Sequence, residues 1–319
     1  MPFGNTSDRT KLSPIYSKIE KSLTSGGFRG ERLPSGAPYT VLSLAEKQFI
    51  DRDLVFSEGA RIVYFNEPCN LTVSLGGRDL ISIQAVMPGR AILEAGKSAS
   101  APEEMLDSDL SFAYVESIGY LCERPELCGS ALELSAGLYL PSLRLLGSLE
   151  GVRKNLASRG VLLSPMNSLS GNPGDLYTLR YVPPHLADEE SAVSFFDALL
   201  SELDAYEMSR QRMIFPDASA ALEDAAYRAL GILSYSRKIG EGEMLCLLSD
   251  IRLAISARTD VSDSLPRIED LNFLSIEGLN CCLLASSDQK CSSEEELDVL
   301  RASFLRKYIS AKVMAQKAI

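Results

Sequence analysis

The chain of 319 residues has a formal net charge of −11, and 45% of its residues are hydrophobic. A chain of this length and composition forms one large or two modest domains, each with its own core. The acidic balance argues against an extended nucleic-acid surface and against binding to anionic membranes, because both need a basic field. The sequence also lacks an apolar run of the roughly 18 residues that a spanning helix requires. We therefore expect no nucleic-acid or membrane partner.

Cysteine and histidine usage limits the chemistry further. The seven cysteines are scattered without CxxC spacing, which predicts reduced thiols in a cytoplasmic protein, with no disulfide framework and no metal site. The first residues contain no apolar segment of the kind found in secretory signals. The only histidine, His185, follows two prolines and precedes three acidic residues, which predicts an exposed loop rather than a catalytic base.

In chain order, the first 38 residues are polar and rich in glycine, serine and proline, and we interpret them as an N-terminal arm. A short helix is predicted over 14–23 and a loop over 25–35. Residues 39–216 show the pattern of an α+β domain, in which Gly76 and Gly77 predict a β-hairpin turn. Helices are predicted over 41–54, 91–110, 142–156 and 190–208, and strands over 61–65, 71–75, 79–86, 160–164 and 175–182.

The last third of the chain has a different pattern. Phe215, Pro216 and Asp217 interrupt the helical spacing, so we predict a helix end and a domain boundary there. Beyond this point, four segments carry apolar residues at helical spacing and are joined by short polar connections. This pattern predicts a small antiparallel helical bundle over 217–319.

The stretch from Gly119 to Leu143, GYLCERPELCGSALELSAGLYLPSL, is the most distinctive part of the sequence. The small residues around Gly129 predict a turn through which the backbone can approach a ligand closely. The apolar run over 132–140 predicts a strand that holds this turn in place, and Glu133 is the one charge in the run.

This stretch resembles the signature of bacterial protein-arginine kinases of the McsB type, which are relatives of arginine and creatine kinases. The family signature reads Gly-Tyr-Leu, then Cys-Pro-Thr-Asn-x-Gly-Thr-Gly-x-Arg-Ala, then His-Leu-Pro-x-Leu. The scaffold positions that fit in register are Gly119, Tyr120, Leu121, Pro125, Gly129, Leu140, Pro141 and Leu143.

The chemical positions of the signature are substituted. By this resemblance, the reactive cysteine position holds Arg124, the phosphate-binding arginine position holds Glu133, and the histidine position holds Tyr139. Cys122 and Cys128 flank the lost cysteine position and would replace it only if the turn were re-registered. The resemblance therefore implies a preserved scaffold in which the charges of the site are reversed.

The resemblance also implies losses elsewhere in the site. The family uses carboxylates in a hairpin turn to align and deprotonate a guanidinium, and arginines to hold phosphate. Asp79 alone remains in that turn. Ser82 stands at one arginine position, and Ser164 or one of its neighbours stands at another, because the loop lengths differ by one residue. Arg29 and Arg32 are the weak candidates for nucleotide binding, and a flexible arm with ordinary arginines is the alternative.

The C-terminal third resembles the C-terminal domain of protein-arginine kinases around 222–234 and 248–253. In the last predicted helix, Asp298 and Arg301 match part of a family motif, Arg-Asp-x-x-Arg-Ala, that reads phosphoarginine; Leu297 stands at its first position. By this resemblance, Asp298 would accept hydrogen bonds from the guanidinium and Arg301 would contact the phosphate. The alternative is an exposed ion pair within one helix, worth about 0.3–0.5 kcal/mol.

Taken as a whole, the resemblance implies an α+β fold with an antiparallel sheet flanked by helices, followed by a small C-terminal helical bundle. Because most catalytic positions are substituted, we expect a pseudokinase, a regulatory or adaptor component of a Clp-type protein quality-control system. The implied partners are a zinc-binding adaptor and a Clp-type ATPase, and homodimerisation stays open. The alternative is an active protein-arginine kinase with a divergent site, which would use ATP and Mg²⁺.

Overall fold

The computed structural model describes residues 9–32, 62–67, 70–77, 79–166, 174–184, 187–257, 265–266, 271 and 293–316. The chain divides into two compact units. The first unit comprises Met1–Leu134 and Tyr181–Ser201, and the second comprises Ser135–Arg180 and Glu202–Ile319. The predicted helix over 41–54 and the predicted loop at His185 lie outside the described residues. The predicted division at residues 216 and 217 stays a prediction.

The first unit is built on a four-stranded antiparallel sheet in the order β1-β2-β3-β4. These strands are β1 (Arg29–Arg32), β2 (Ile62–Phe65), β3 (Leu71–Leu75) and β4 (Ile81–Ala85). Strand β3 is buried along its whole length because it lies between β2 and β4. At Gly76 the backbone has φ 94°, a conformation that glycine adopts readily, and the predicted hairpin is confirmed.

Two helices pack against this sheet, α1 (Arg9–Ser25) and α2 (Ile92–Asp107). Ile19 and Leu23 of α1 meet Leu106 of α2 and Val73 of β3 in one buried cluster. Each such buried aliphatic side chain contributes about 1.5–3 kcal/mol to folding. The predicted helices over 14–23 and 91–110 are confirmed.

The predicted loop over 25–35 is wrong at Arg29–Arg32, which form the edge strand β1. The segment has no apolar alternation, so its sequence gives no strand signal. Its backbone nevertheless pairs with β2, where Arg29 lies opposite Phe65. An exposed, charged edge strand of this kind also limits pairing with other chains.

A two-stranded hairpin and a short 3₁₀ helix complete the described signature region of the first unit. The hairpin consists of β5 (Tyr114–Val115) and β6 (Gly119–Tyr120), and the 3₁₀ helix spans Pro125–Leu127.

The second unit contains a three-stranded sheet in the order β7-β9-β8. Its strands are β7 (Leu134–Tyr139), β8 (Val161–Pro165) and β9 (Leu176–Tyr181), of which β7 begins and β9 ends with a residue of the first unit. The predicted helical region over 142–156 is two helices, α3 (Pro141–Leu145) and α4 (Leu149–Ser158). Gly147 separates them with φ 65°, which ends the first helix.

Three long helices follow: α5 (Glu189–Tyr235), α6 (Glu241–Ser256) and α7 (Glu294–Gln316). The predicted helix end at Phe215 is wrong, because α5 continues through Pro216. A proline inside a helix costs about 3 kcal/mol. Phe215 and Leu222 pack against the helical core of this unit, and we attribute the continuation of the helix to that packing. The core also contains Ala226, Leu233, Met244, Leu248, Ile251, Ala302 and Leu305.

The fold is thus α+β, with sheets flanked by helices and a C-terminal helical cluster, as the sequence predicts. Among the described segments, none of the helices combines the length and apolar character needed to cross a bilayer.

Candidate functional site

The signature segment closes into a loop between Tyr120 and Gly129. The Tyr120 N–H donates to Gly129 O at 2.8 Å, and the Gly129 N–H donates back to Tyr120 O at 2.9 Å. Gly119 has φ 100°, and a Cβ at this position would lie 2.4 Å from Gly129 O. Because no side chain fits that space, the close approach of the two backbones requires glycine. The loop therefore has a fixed base, from which residues 121–128 project.

Asp79 lies against this loop. Its Oδ1 accepts a hydrogen bond from the Glu123 N–H at 2.7 Å. The structure thus brings the one remaining carboxylate of the hairpin turn together with the signature loop. An Asp side chain that accepts a backbone N–H also organises the loop, which is a structural role beside any chemical one.

The two reversed positions of the signature contact each other. Arg124 Nη1 lies 3.5 Å from Glu133 Oε2, and their side chains are 23% and 31% exposed. The cation at the cysteine position therefore pairs with the anion at the arginine position. Two buried polar atoms in the loop, Glu123 Oε2 and Arg124 Nε, have no hydrogen-bond partner among the described residues.

The thiol of Cys122 is poorly suited to act as a nucleophile. The pKa of Cys122 is raised to about 12, first by burial and then by the nearby Asp79 and Cys128, while Arg124 acts in the opposite direction. The thiolate is the reactive form of cysteine, and only a trace of it is present at neutral pH. Cys122 is therefore not an activated substitute for the lost cysteine.

Tyr139 lies at the end of β7, in the second unit. Its hydroxyl donates to the backbone O of Ser249 at 2.9 Å and lies 3.2 Å from Ser249 Oγ. Arg252 stacks over the ring with its Cζ 5.1 Å from the centroid. The residue at the family's histidine position is thus held by helix α6, inside the segment 248–253 that resembles the family's C-terminal domain.

A buried polar network surrounds this contact, and we did not predict it from the sequence. Asp175 is buried with φ 63°, and its Oδ2 accepts a hydrogen bond from Ser249 Oγ at 2.5 Å. Arg144 Nε pairs with Asp175 Oδ1, and Arg144 Nη2 lies 3.2 Å from Oδ2. The Gly174-Asp175 turn is the one local hint, because both residues tolerate the left-handed conformation.

Arg29 and Arg32 do not form a common site. They stand three residues apart in β1, and side chains in a strand alternate between faces. The two arginines therefore lie on opposite faces of the edge strand. Ser82 lies opposite Ser74 within the sheet, and Ser164 is half-buried in β8.

Asp298 and Arg301 come together in α7, with Arg301 Nη1 2.7 Å from Asp298 Oδ1. The ion pair within one helix that the alternative predicts is present, but it is not exposed, because the Arg301 side chain is only 7% exposed. The same Nη1 donates to Ile239 O at 3.0 Å, in the connection between α5 and α6. Leu297 is also buried. To contact a phosphate with Nη1, Arg301 would have to release the Ile239 carbonyl.

The residues at the family's phosphate-binding positions do not fit the phosphates of ATP, the cofactor implied for an active enzyme. Phosphate binding needs several cations that converge on one place. Glu133 would repel a phosphate, Arg124 is paired with Glu133, and Arg29 and Arg32 diverge. In the part of the chain that the structure describes, no group of three or more His, Cys, Asp and Glu side chains could hold a metal ion.

Two protein-family models match the chain. The model described as ATP:guanido phosphotransferase, C-terminal catalytic domain, matches residues 22–167, and the model described as protein-arginine kinase McsB C-terminal domain matches residues 219–318. The protein-arginine kinase of Pelotomaculum thermopropionicum is 26% identical over 247 residues, which are 76% of this chain and 68% of the relative. The protein-arginine kinase of Moorella thermoacetica is 25% identical over 318 residues, which are 97% of this chain and 90% of the relative.

Solved structures of guanidino kinases are similar in fold. The duplicated taurocyamine kinase from Schistosoma mansoni matches with a TM-score of 0.54 and 19% identity, over 65% of this chain and 31% of that chain. Lombricine kinase matches with a TM-score of 0.50 and 17% identity, over 65% of this chain and 62% of that chain. Both similarities concern the fold alone.

Proposed function

The chain belongs to the protein-arginine kinase family of ATP:guanidino phosphotransferases, and we propose that it is a pseudokinase of this family. The observation that carries this proposal is the Arg124–Glu133 pair at 3.5 Å in the signature loop. In the family these positions supply a reactive cysteine and a phosphate-binding arginine. Here both side chains face each other, so neither charge is directed toward a phosphate or a substrate guanidinium.

Electrostatics support the proposal in magnitude. A single arginine that stabilises the transition state is worth roughly 10³–10⁵ in the rate of phosphoryl transfer. A carboxylate at the same position adds repulsion, which for two unit charges at 4 Å is about 4 kcal/mol in a surface-like dielectric. The raised pKa of Cys122 means that this flanking thiol does not replace the lost cysteine.

As a pseudokinase, the protein would act through binding. Family resemblance suggests a regulatory or adaptor role in Clp-type protein quality control, with a zinc-binding adaptor protein and a Clp-type ATPase as partners. The preserved scaffold supports this role, because the loop base at Gly119 and Gly129 and the contact of Tyr139 with Ser249 maintain the fold without the catalytic residues.

One observation favours the alternative, an active protein-arginine kinase with a divergent site. Asp79 lies against Glu123, whose Oε2 is buried without a partner among the described residues. Carboxylates are the groups that align a guanidinium for phosphoryl transfer, and two residues in direct contact carry them here. In this reading, ATP and Mg²⁺ would be the cofactors.

The deciding experiment incubates the full chain with Mg-ATP, with and without the zinc-binding adaptor, and measures phosphoarginine by mass spectrometry. Isothermal titration with ATP and ADP runs in parallel. We expect no phosphoarginine above the level of a sample without enzyme. Stoichiometric phosphoarginine that disappears in Asp79→Ala, and persists in the surface control Asp204→Ala, would establish the active alternative instead.

A further inference from the structure

Two cysteines contact each other across the signature loop. The Cys122 N–H lies 3.4 Å from Cys128 Sγ, and the Cys128 thiol lies 3.4 Å from Cys122 O. The two residues are six positions apart, and the Tyr120–Gly129 backbone pairing closes the loop immediately outside them. Neither thiol is in a disulfide.

This contact places the Cys128 sulfur within 3.4 Å of both the N and the O atom of Cys122. A disulfide needs Cα atoms about 4.4–6.8 Å apart and Cβ atoms about 3.5–4.5 Å apart. The two residues already lie side by side in a loop with a closed base, so the movement that a bridge requires is confined to residues 121–128. The 3₁₀ turn at Pro125–Leu127 brings the chain back to this position.

We propose that Cys122 and Cys128 form a redox modification site, which a peroxide converts to an intramolecular disulfide. The Cys128 thiolate attacks one oxygen of the peroxide and becomes a sulfenic acid, and with hydrogen peroxide the leaving hydroxide takes up the thiol proton as water. The Cys122 sulfur then attacks the sulfenic sulfur, and the departing hydroxide takes the Cys122 proton as a second water. Two thiols and one hydrogen peroxide thus give one disulfide and two waters.

The order of the two steps follows from the surroundings of Cys122. Its pKa is raised to about 12 by burial first, then by Asp79 and by Cys128, so this thiol stays protonated at neutral pH. A protonated thiol reacts slowly with peroxide from solution, whereas its attack on a sulfenic sulfur in the same loop is helped by proximity. This difference assigns the first step to Cys128 and the resolving step to Cys122. Cys128 Sγ also lies 3.9 Å from Arg124 O, so a bridge would restrain the segment that carries Arg124.

The sequence around the pair makes the bridge directly measurable. Glu123 and Glu126 lie between the two cysteines, so a protease that cleaves after glutamate separates them. Trypsin leaves both cysteines in one peptide, residues 98–144, because Arg124 precedes a proline. A bridge therefore lowers the mass of the tryptic peptide by about 2 Da, for the two lost hydrogens. After cleavage at glutamate, the bridge holds two fragments together until reduction.

The experiment treats the full-length folded protein with hydrogen peroxide at neutral pH, blocks free thiols by alkylation and maps the peptides. Cys246→Ser is the matched control, because Cys246 is also half-buried but lies on α6 in the second unit. We expect joined fragments in the wild type and in Cys246→Ser, and none in Cys122→Ser. Cys128→Ser should leave Cys122 as a reduced thiol, which is alkylated once the protein is denatured.

Two results would overturn the proposal. One is a wild-type protein in which peroxide oxidises Cys122 or Cys128 to sulfinic acid, or leaves both reduced, without joined fragments. The other is a bridge from either residue to a different cysteine. Because the decisive samples are the wild type and Cys246→Ser, a folding defect in a loop variant does not affect the outcome. The result is also independent of kinase activity, so it stands apart from the proposed function.

Discussion

Replacing Tyr139 with phenylalanine tests the contact that holds the signature strand to helix α6. The change removes only the hydroxyl, which donates to Ser249 O at 2.9 Å. The ring under Arg252 stays in place, so packing and the cation–π contact are retained. A buried hydrogen bond of this kind contributes about 1 kcal/mol. For a unit of this size, such a loss lowers the melting temperature by roughly 2–4 °C.

The pH dependence gives a second measure of the same contact. Burial is the main reason that the pKa of Tyr139 is raised above its ordinary value of 10.0. The folded protein therefore holds this proton more tightly than the unfolded chain does. That contribution to stability is complete below pH 10.0 and is lost as the pH rises through the folded-state pKa. Above pH 10.0, the wild type should lose stability more steeply than Tyr139→Phe.

Thermal unfolding followed by circular dichroism, at neutral pH and in steps above pH 10.0, measures both effects. Tyr235→Phe is the matched control, because the Tyr235 side chain is 82% exposed and its hydroxyl faces solvent. We expect Tyr235→Phe to melt like the wild type. If Tyr139→Phe and Tyr235→Phe melt at the same temperature and show the same slope with pH, the hydroxyl makes no stabilising contact and the reasoning is refuted.

Three further predictions concern local structure. Ala131→Gly should raise the free energy of unfolding by about 0.5–1 kcal/mol in urea titrations. Ala131 has φ 54°, a left-handed conformation that is strained for alanine and not for glycine. A lower free energy of unfolding in the variant would contradict this prediction. Glu207→Gln should lower the free energy of unfolding by about 1–3 kcal/mol. The buried Glu207 carboxylate accepts the N–H groups of Ser142 and Leu143 at 2.8 and 3.0 Å, and an amide would keep only one of the two acceptor oxygens. An unchanged melting temperature would contradict this prediction. Alkylation of Cys122 in the folded protein at pH 8 should be about a thousandfold slower than that of a thiol with pKa 9.0, because burial raises the pKa of Cys122 to about 12. The rate should still rise about tenfold per pH unit at pH 10, and a rate that levels off between pH 9 and pH 10 would show an ordinary thiol.

The elements with strong local signals could be predicted from the sequence. Helix α2, the β3–β4 hairpin and strands β8 and β9 follow the predicted ranges closely, because apolar spacing and turn glycines act over short distances. The failures have physical causes. Helix α5 continues through Pro216, and we attribute this to the packing of Phe215 and Leu222 against the helical core. Strand β1 forms because β2 offers an edge with which it can pair. Neither the packing nor the pairing edge can be read from the neighbouring sequence.

The candidate site could likewise be predicted only in part. The substituted positions Arg124, Glu133 and Tyr139 could be named from the sequence, because a resemblance fixes the register. Their partners could not, because each pairing depends on tertiary structure. Tyr139 meets Ser249, which is 110 residues away. The sequence predicts Arg301 as a phosphoarginine contact or as part of an exposed ion pair, and neither interpretation includes the Ile239 carbonyl that it binds, 62 residues away.

The pairing of Arg124 with Glu133 bears on how the two substitutions relate to each other. Each side chain is more than two-thirds shielded from solvent, so either change alone would leave a poorly solvated charge in the loop. Together they neutralise each other, and the loop keeps its glycine-supported base with a charge pair at the two positions where the family has a cysteine and an arginine. A partly exposed pair of this type adds no more than about 1 kcal/mol. Its stabilising effect is therefore small, and in the pseudokinase that we propose its main consequence is that the two charges bind each other instead of a phosphate or a guanidinium.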